Sequence, residues 1–154
     1  MKEDPFHLER YVEAQDGVYG QVLQELRRGE KRSHWMWFIF PQIRGLGRSP
    51  MAERFAIGSA EEARAYLGHP VLGARLRECT GLVNAVEGRT VSEIFGFPDD
   101  LKFHSSMTLF AFAVEAPTHK TLGDSVFVEA VRKYFGGEMD SGTLGKIKKE
   151  ERKR

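Results

Sequence analysis

The sequence predicts an all-α fold, a compact single-domain multi-helix bundle or array with no significant sheet. Three observations carry this expectation. Capping residues, several of them beside proline, recur where helices should begin: Asp4-Pro5, Ser49-Pro50, Ser59-Ala60-Glu61-Glu62 and Thr90-Val91-Ser92-Glu93. Apolar residues recur at three- and four-residue spacing, as in Leu72, Leu76, Cys79, Val83 and Val86. One stretch alternates well enough to be a strand, but no other segment offers it a partner. With 154 residues, 41% apolar and 29% charged, the chain can bury a substantial core and matches neither a disordered nor a membrane composition.

Taken in order, Asp4 is an N-cap with Pro5 at the first helical position, and a helical pattern runs from Phe6. Gly17 and Gly20 mark a break, and Val18, Val22, Leu23 and Leu26 form the next stripe. Residues 33–42 read SHWMWFIFPQ. If this run is helical up to Phe40, His34, Trp37 and Phe38 share one face, while Trp35 and Ile39 lie on another. Such a helix, apolar on nearly every side, must be buried on nearly every side. It is too short to cross a bilayer, which needs about 20 apolar residues. Ser49-Pro50 starts a short helix with Phe55 toward the core, and His69-Pro70 opens the helix of Leu72 to Val86. Residues 101–114 fit either a strand or a helix whose stripe is Phe103, Met107, Phe110, Ala111 and Val114; Asp99, in a capping position after Pro98, favours the helix. A last stripe, Phe127, Val131 and Tyr134, is closed by Gly136-Gly137. The domain is expected to span residues 1–145, with residues 146–154 a charged, solvated or frayed tail.

Several chemistries find no support. A net charge of +1 gives no global reason to expect nucleic acid, and the charged N-terminus lacks the apolar segment of a signal peptide. The single Cys79 cannot form an internal disulfide and lies on an apolar stripe, which suits a reduced core thiol in a cytoplasmic protein. The sequence has no HExxH, CxxC pair or Asp-rich loop, and His7, His34, His69, His104 and His119 are scattered without ligand spacing, so neither metal nor cofactor is implied. No residue pattern identifies a reaction.

What remains points to an anion. Gln42 to Pro50 is a glycine loop carrying Arg44 and Arg48 that runs into the helix capped by Ser49. Unpaired backbone N–H groups and two guanidiniums suit a phosphate or carboxylate there. Lys102, Ser105 and Ser106 fall at i, i+3 and i+4, opposite the Phe103–Met107–Phe110 stripe; they read equally as a solvated face or as a second anion-holding group. Trp35 and Trp37 each need an acceptor for the indole N–H when buried, and such residues often line pockets. His34 is the candidate acid–base group, against the alternative of a structural histidine.

These stretches bring a resemblance with them. Residues 29–42, GEKRSHWMWFIFPQ, with GLGRS at 45–49, HPVLG at 69–73, IFG at 94–96 and DDLKFHSSMTLF at 99–110, resemble the bacterial family known as domain of unknown function 1810. The resemblance spans roughly residues 4–145 and implies a compact all-helical domain. It departs at His104, where the family is expected to vary, and after Leu144. Some members carry a calpastatin-like label; an inhibitor of that kind uses disordered, aromatic-poor segments, whereas this chain is 11% aromatic. The polar residues Lys31, His34, Gln42, Arg48, Ser49, Lys102, Ser105 and Ser106 all fall inside the family's motifs, which implies a shared pocket. The expectation is therefore a small phosphorylated, carboxylated or nucleotide-like ligand in a pocket walled by Trp35 or Trp37. The rival is a non-catalytic protein-interaction module. No partner and no oligomeric state is indicated.

Overall fold

Ser49, Ser59 and Thr90 each accept a hydrogen bond from the backbone N–H three residues on, and each begins a helix. Thr90 and Glu93 complete the reciprocal pair, while the Glu62 carboxylate turns instead to the Gly58 N–H at 2.9 Å. The computed structural model describes residues 3–114 and 125–153; His119 lies outside them. Ten helices are present among the described residues: α1 (Glu9–Asp16), α2 (Tyr19–Arg28), α3 (Met36–Ile39), α4 (Pro50–Arg54), α5 (Ala60–Gly68), α6 (Leu72–Asn84), α7 (Val91–Phe95), α8 (Asp99–Val114), α9 (Ser125–Phe135) and α10 (Ser141–Arg152). None of the described helices is long and apolar enough to cross a membrane.

The ambiguous stretch 101–114 is helical, as its stripe predicts, and it forms the hub. Phe103, Met107, Leu109, Phe110 and Ala111 of α8 are all fully buried, and α8 packs against α5, α7, α9 and α10. A helix apolar around most of its circumference finds cover only at the centre of a bundle. Phe103 meets Phe40 edge-on at 5.1 Å and Phe95 face-on at 4.7 Å, both favoured ring geometries. Cys79 is fully buried on α6, and the setting pushes its thiol pKa up to about 12, first through desolvation. It is an inert core residue.

Three local expectations are corrected. The first helix starts at Glu9, not Phe6: the Asp4 carboxylate accepts from the N–H groups of Leu8 and Glu9 at 2.7 and 3.0 Å across a turn in which His7 has a φ of 53°. The aromatic run is helical only over Met36–Ile39. On its N-terminal side the Glu25 carboxylate takes the N–H groups of Arg32 and Ser33 and holds that stretch in a loop. On its C-terminal side Pro41 disfavours helical dihedrals at Phe40, which sits at φ −124°, ψ 73°. Finally, residues 146–152 are neither solvated coil nor frayed. They are the last two turns of α10, which Asp140 caps through the Thr143 N–H at 3.0 Å and which buries Ile147 completely.

Candidate functional site

Once Pro41 ends α3, the chain leaves the core as a loop, turns back through α4, and returns. Its two ends are tied by a parallel bridge between Ile43 and Ile57. The Arg44 N–H donates to the Ile57 carbonyl and the Ile57 N–H to the Gln42 carbonyl, both at 2.8 Å. Within the loop, Gly47 lies against α4 so closely that a Cβ there would stand 2.5 Å from the Ala52 Cβ. Gly45 has a φ of +99°, a conformation that side-chain-bearing residues rarely adopt. Between Trp37 of α3, this loop and α4 opens a cleft of about 590 Å³, whose polar lining comes from Gln42, Arg44, Arg48 and Glu53, and whose apolar lining includes Phe55.

The far wall of the cleft is fixed from α1. Arg10 donates to the carbonyls of Arg54 and Ala56, each at 3.0 Å, and the Tyr11 hydroxyl donates to the carbonyl of Phe55 at 2.7 Å. Three successive carbonyls are thus held by two neighbouring side chains. Desolvation pushes the Tyr11 phenol far above its ordinary pKa, so it remains a donor at any working pH. Arg10 also pairs with the buried Glu62 at 3.2 Å.

The electrostatics of the cleft are unbalanced. Among the described residues, neither Arg44 nor Arg48 forms an ion pair or a side-chain hydrogen bond, and both are exposed. The Arg44 guanidinium leans over Gly58, where a Cβ would stand 2.9 Å from it. Trp37 is partly buried against the core, and its buried indole N–H has no acceptor among the described residues. Leaving such a donor unpaired costs about 1–3 kcal/mol unless a water or ligand takes it up.

A second group adjoins the same tryptophan. The Asp99 carboxylate lies between two lysines, 2.8 Å from Lys31 and 3.5 Å from Lys102. The Lys102 ammonium sits 5.3 Å from the centre of the Trp37 ring, and that of Lys31 5.0 Å from the Trp35 ring. The Lys31 side chain is 7% exposed and also donates to the Ser33 carbonyl. Asp99 is thus the first residue of α8 and the counter-ion of two lysines, rather than its cap.

The sequence-predicted residues divide accordingly. Trp37, Gln42 and Arg48 line one cleft, and Lys102 reaches it only through the Trp37 ring. Trp35 is 1% exposed and its N–H donates to Glu25 at 3.0 Å, which makes it a core residue and not a pocket wall. Ser49 spends its hydroxyl on the Ala52 N–H at 3.1 Å, and α4 is too short to build much dipole. Ser105 and Ser106 are buried, so they form no solvated face. The carboxylate that Ser105 meets is the chain's own Asp140, at 3.3 Å, which is also the cap of α10; the Ser106 hydroxyl is enclosed without a partner among the described residues. His34 is exposed and does not line the cleft.

Other contributors were not singled out from sequence. Arg10 and Tyr11 act on the cleft from more than forty residues away in sequence, and no local pattern signals that. Lys146 lies along Gly45, where a Cβ would come within 3.3 Å of its Cε and 3.4 Å of its Nζ. Asp140 followed by apolar Leu144 and Ile147 was the available signal for α10, masked by the charge run beyond it.

The comparisons with known proteins agree with this architecture. The family model described as "Protein of unknown function (DUF1810)" matches residues 5–147. A solved structure, that of the conserved hypothetical protein Rv1873 from Mycobacterium tuberculosis, is 58% identical and superposes with a TM-score of 0.86 over 92% of this chain and 96% of that one. No curated protein matches the chain. The chain belongs to the DUF1810 family.

Proposed function

We propose that this member of the family binds a small phosphorylated or carboxylated molecule in the cleft between Trp37 and the Arg44–Arg48 loop. The observation that carries the reading is that Arg44 and Arg48 face one cleft with no ionic partner among the described residues. Arginine forks match the two oxygens of a carboxylate or phosphate, and charge-assisted bonds of this kind are the strong ones. The Gln42 amide adds a polar donor beside them, and the half-buried Trp37 ring supplies apolar surface for a ligand body. This is a binding function: His34 lies outside the cleft, and no acid–base role is assigned to it.

The test is calorimetric titration of the protein with phenyl phosphate, benzoate, citrate and a nucleoside monophosphate. Binding of at least one in the wild type, lost in the Arg44→Ala/Arg48→Ala double variant with the fold retained, supports the reading. If none binds at millimolar concentration, or if the double variant binds as well as the wild type, the cleft is not an anion site.

A second reading, a protein-interaction module, draws on Phe97 and Leu101, which are 80% and 54% exposed at the start of α8. Its cheapest check is whether Phe97→Ser/Leu101→Ser alters retention of any partner from a cell extract.

A further inference from the structure

Resting on the anion-binding reading of the cleft, we infer that Lys146 completes the site and makes it selective for a phosphoryl group carrying two negative charges over a singly charged carboxylate. The C-terminal helix delivers this lysine. Asp140 caps α10, Ile147 anchors it in the core, and Leu46 of the loop touches Gly142 at its first turn, with 3.7 Å to the point where a Cβ would stand. From there the Lys146 side chain lies along Gly45, the one residue of the loop at positive φ, and the space a Cβ would need is bordered by its Cε and Nζ.

Charge then decides the class of ligand. Arg44 and Arg48 line the cleft, and Lys146 lies against Gly45 of its wall, with Glu53 the single lining carboxylate. Glu62, the other carboxylate near Arg44, is taken up by Arg10 at 3.2 Å and by the Gly58 N–H at 2.9 Å. Lys146, like the two arginines, has no ion pair or hydrogen bond among the described residues. Three cations against one anion leave two positive charges for a ligand to balance. A carboxylate balances one of them. A phosphate monoester, with a second pKa of about 6, balances both at neutral pH.

A matched pair of probes isolates this effect, because phenyl phosphate and benzoate share a ring and differ in the charged head. At pH 7.5 the wild type should bind phenyl phosphate at least about tenfold more tightly than benzoate, the size of one charge-assisted hydrogen bond. Lys146→Gln should bring that ratio close to one by weakening phenyl phosphate far more than benzoate, and Lys146→Arg should restore it. Lys148→Gln removes the same charge from an exposed position of the same helix and should leave the ratio as in the wild type. A wild type that binds both probes equally overturns the inference and leaves the cleft reading intact, as does a Lys146→Gln variant of unchanged ratio. If the wild type binds neither probe, the inference falls, and the cleft reading falls with it only when citrate and the nucleoside monophosphate also fail to bind.

Discussion

The Trp35 indole N–H donates to Glu25 at 3.0 Å, whereas the Trp37 indole N–H, two residues on, is buried with no acceptor among the described residues. The two tryptophans of one motif therefore do opposite work. Trp35 belongs to the frame that holds the loop before α3, and Trp37 lines the cleft and carries Lys102 on its ring.

Replacing each ring by phenylalanine should separate these roles. Trp35→Phe leaves a gap in the core and removes a donor from a buried carboxylate, so it should cost about 2–4 kcal/mol. Trp37→Phe also removes bulk, but the donor it deletes is unpaired; the loss should stay below about 2 kcal/mol, while affinity for a cleft ligand falls. Urea unfolding of the two variants checks the order, and equal losses would show that the Trp37 N–H is paired in solution.

Glu25 makes stability depend on pH. Glu25 is 5% exposed; desolvation acts to raise its pKa, but bonds from the Ser33 hydroxyl, the N–H groups of Arg32 and Ser33, and Trp35 outweigh it and hold the pKa down at about 2, against an ordinary value of 4.5. A lowered folded-state pKa contributes stability that is fully present above pH 4.5 and is lost as pH falls toward 2. The contribution is on the order of 3 kcal/mol at neutral pH. Glu25→Gln should abolish that acid limb, so the variant and the wild type should converge in melting temperature as pH drops toward 2. Parallel melting curves across that window would contradict it.

The two lysines around Asp99 should not be interchangeable. Lys31 is 7% exposed in its side chain and sits 2.8 Å from the carboxylate, whereas Lys102 is 25% exposed and 3.5 Å away. Breaking a buried pair is costly, so Lys31→Ala should lose about 3 kcal/mol. Lys102→Ala removes a partly exposed cation and should cost less than about 1 kcal/mol. Chemical denaturation at low and high salt provides the comparison, with the Lys102 effect the more salt-sensitive.

Gly47→Ala should act on the cleft more than on the core. A methyl group there meets the Ala52 Cβ at 2.5 Å, so the loop and α4 must move apart. Overpacking of this kind costs about 1–3 kcal/mol, and the displaced Arg48 should lower ligand affinity about tenfold or more. A crystal structure of the variant with an unshifted loop would refute the close approach.

Much of the fold was legible in the sequence because its signals are short-range. Ser49, Ser59 and Thr90 cap the turns they precede, and Leu72, Leu76, Cys79 and Val83 of the α6 stripe are buried as their spacing demands, while Val86 lies beyond the helix end at Asn84 and is half-buried. The candidate site was legible only in part. Trp37, Gln42 and Arg48 fall within one stretch of chain, and a loop closed on itself keeps sequence neighbours together in space.

What the sequence by itself determined was the helical class, the starts of α4, α5 and α7, and a loop with two arginines. Propensity, capping and periodicity act within one or two turns, so they can be read without knowing what packs against what. Tertiary structure alone decided that Trp35 is framework while Trp37 is cleft wall, since that depends on whether an acceptor such as Glu25 lies within reach. It also turned Ser105 toward Asp140, left His34 outside the cleft, and brought Arg10 and Lys146 to the loop from the two ends of the chain. These placements follow from packing: α10 lies against the central α8, and α1 lies against α3 and reaches the 54–56 carbonyls through Arg10 and Tyr11. No local pattern records such a constraint, because the energy that enforces it is shared among residues far apart in sequence.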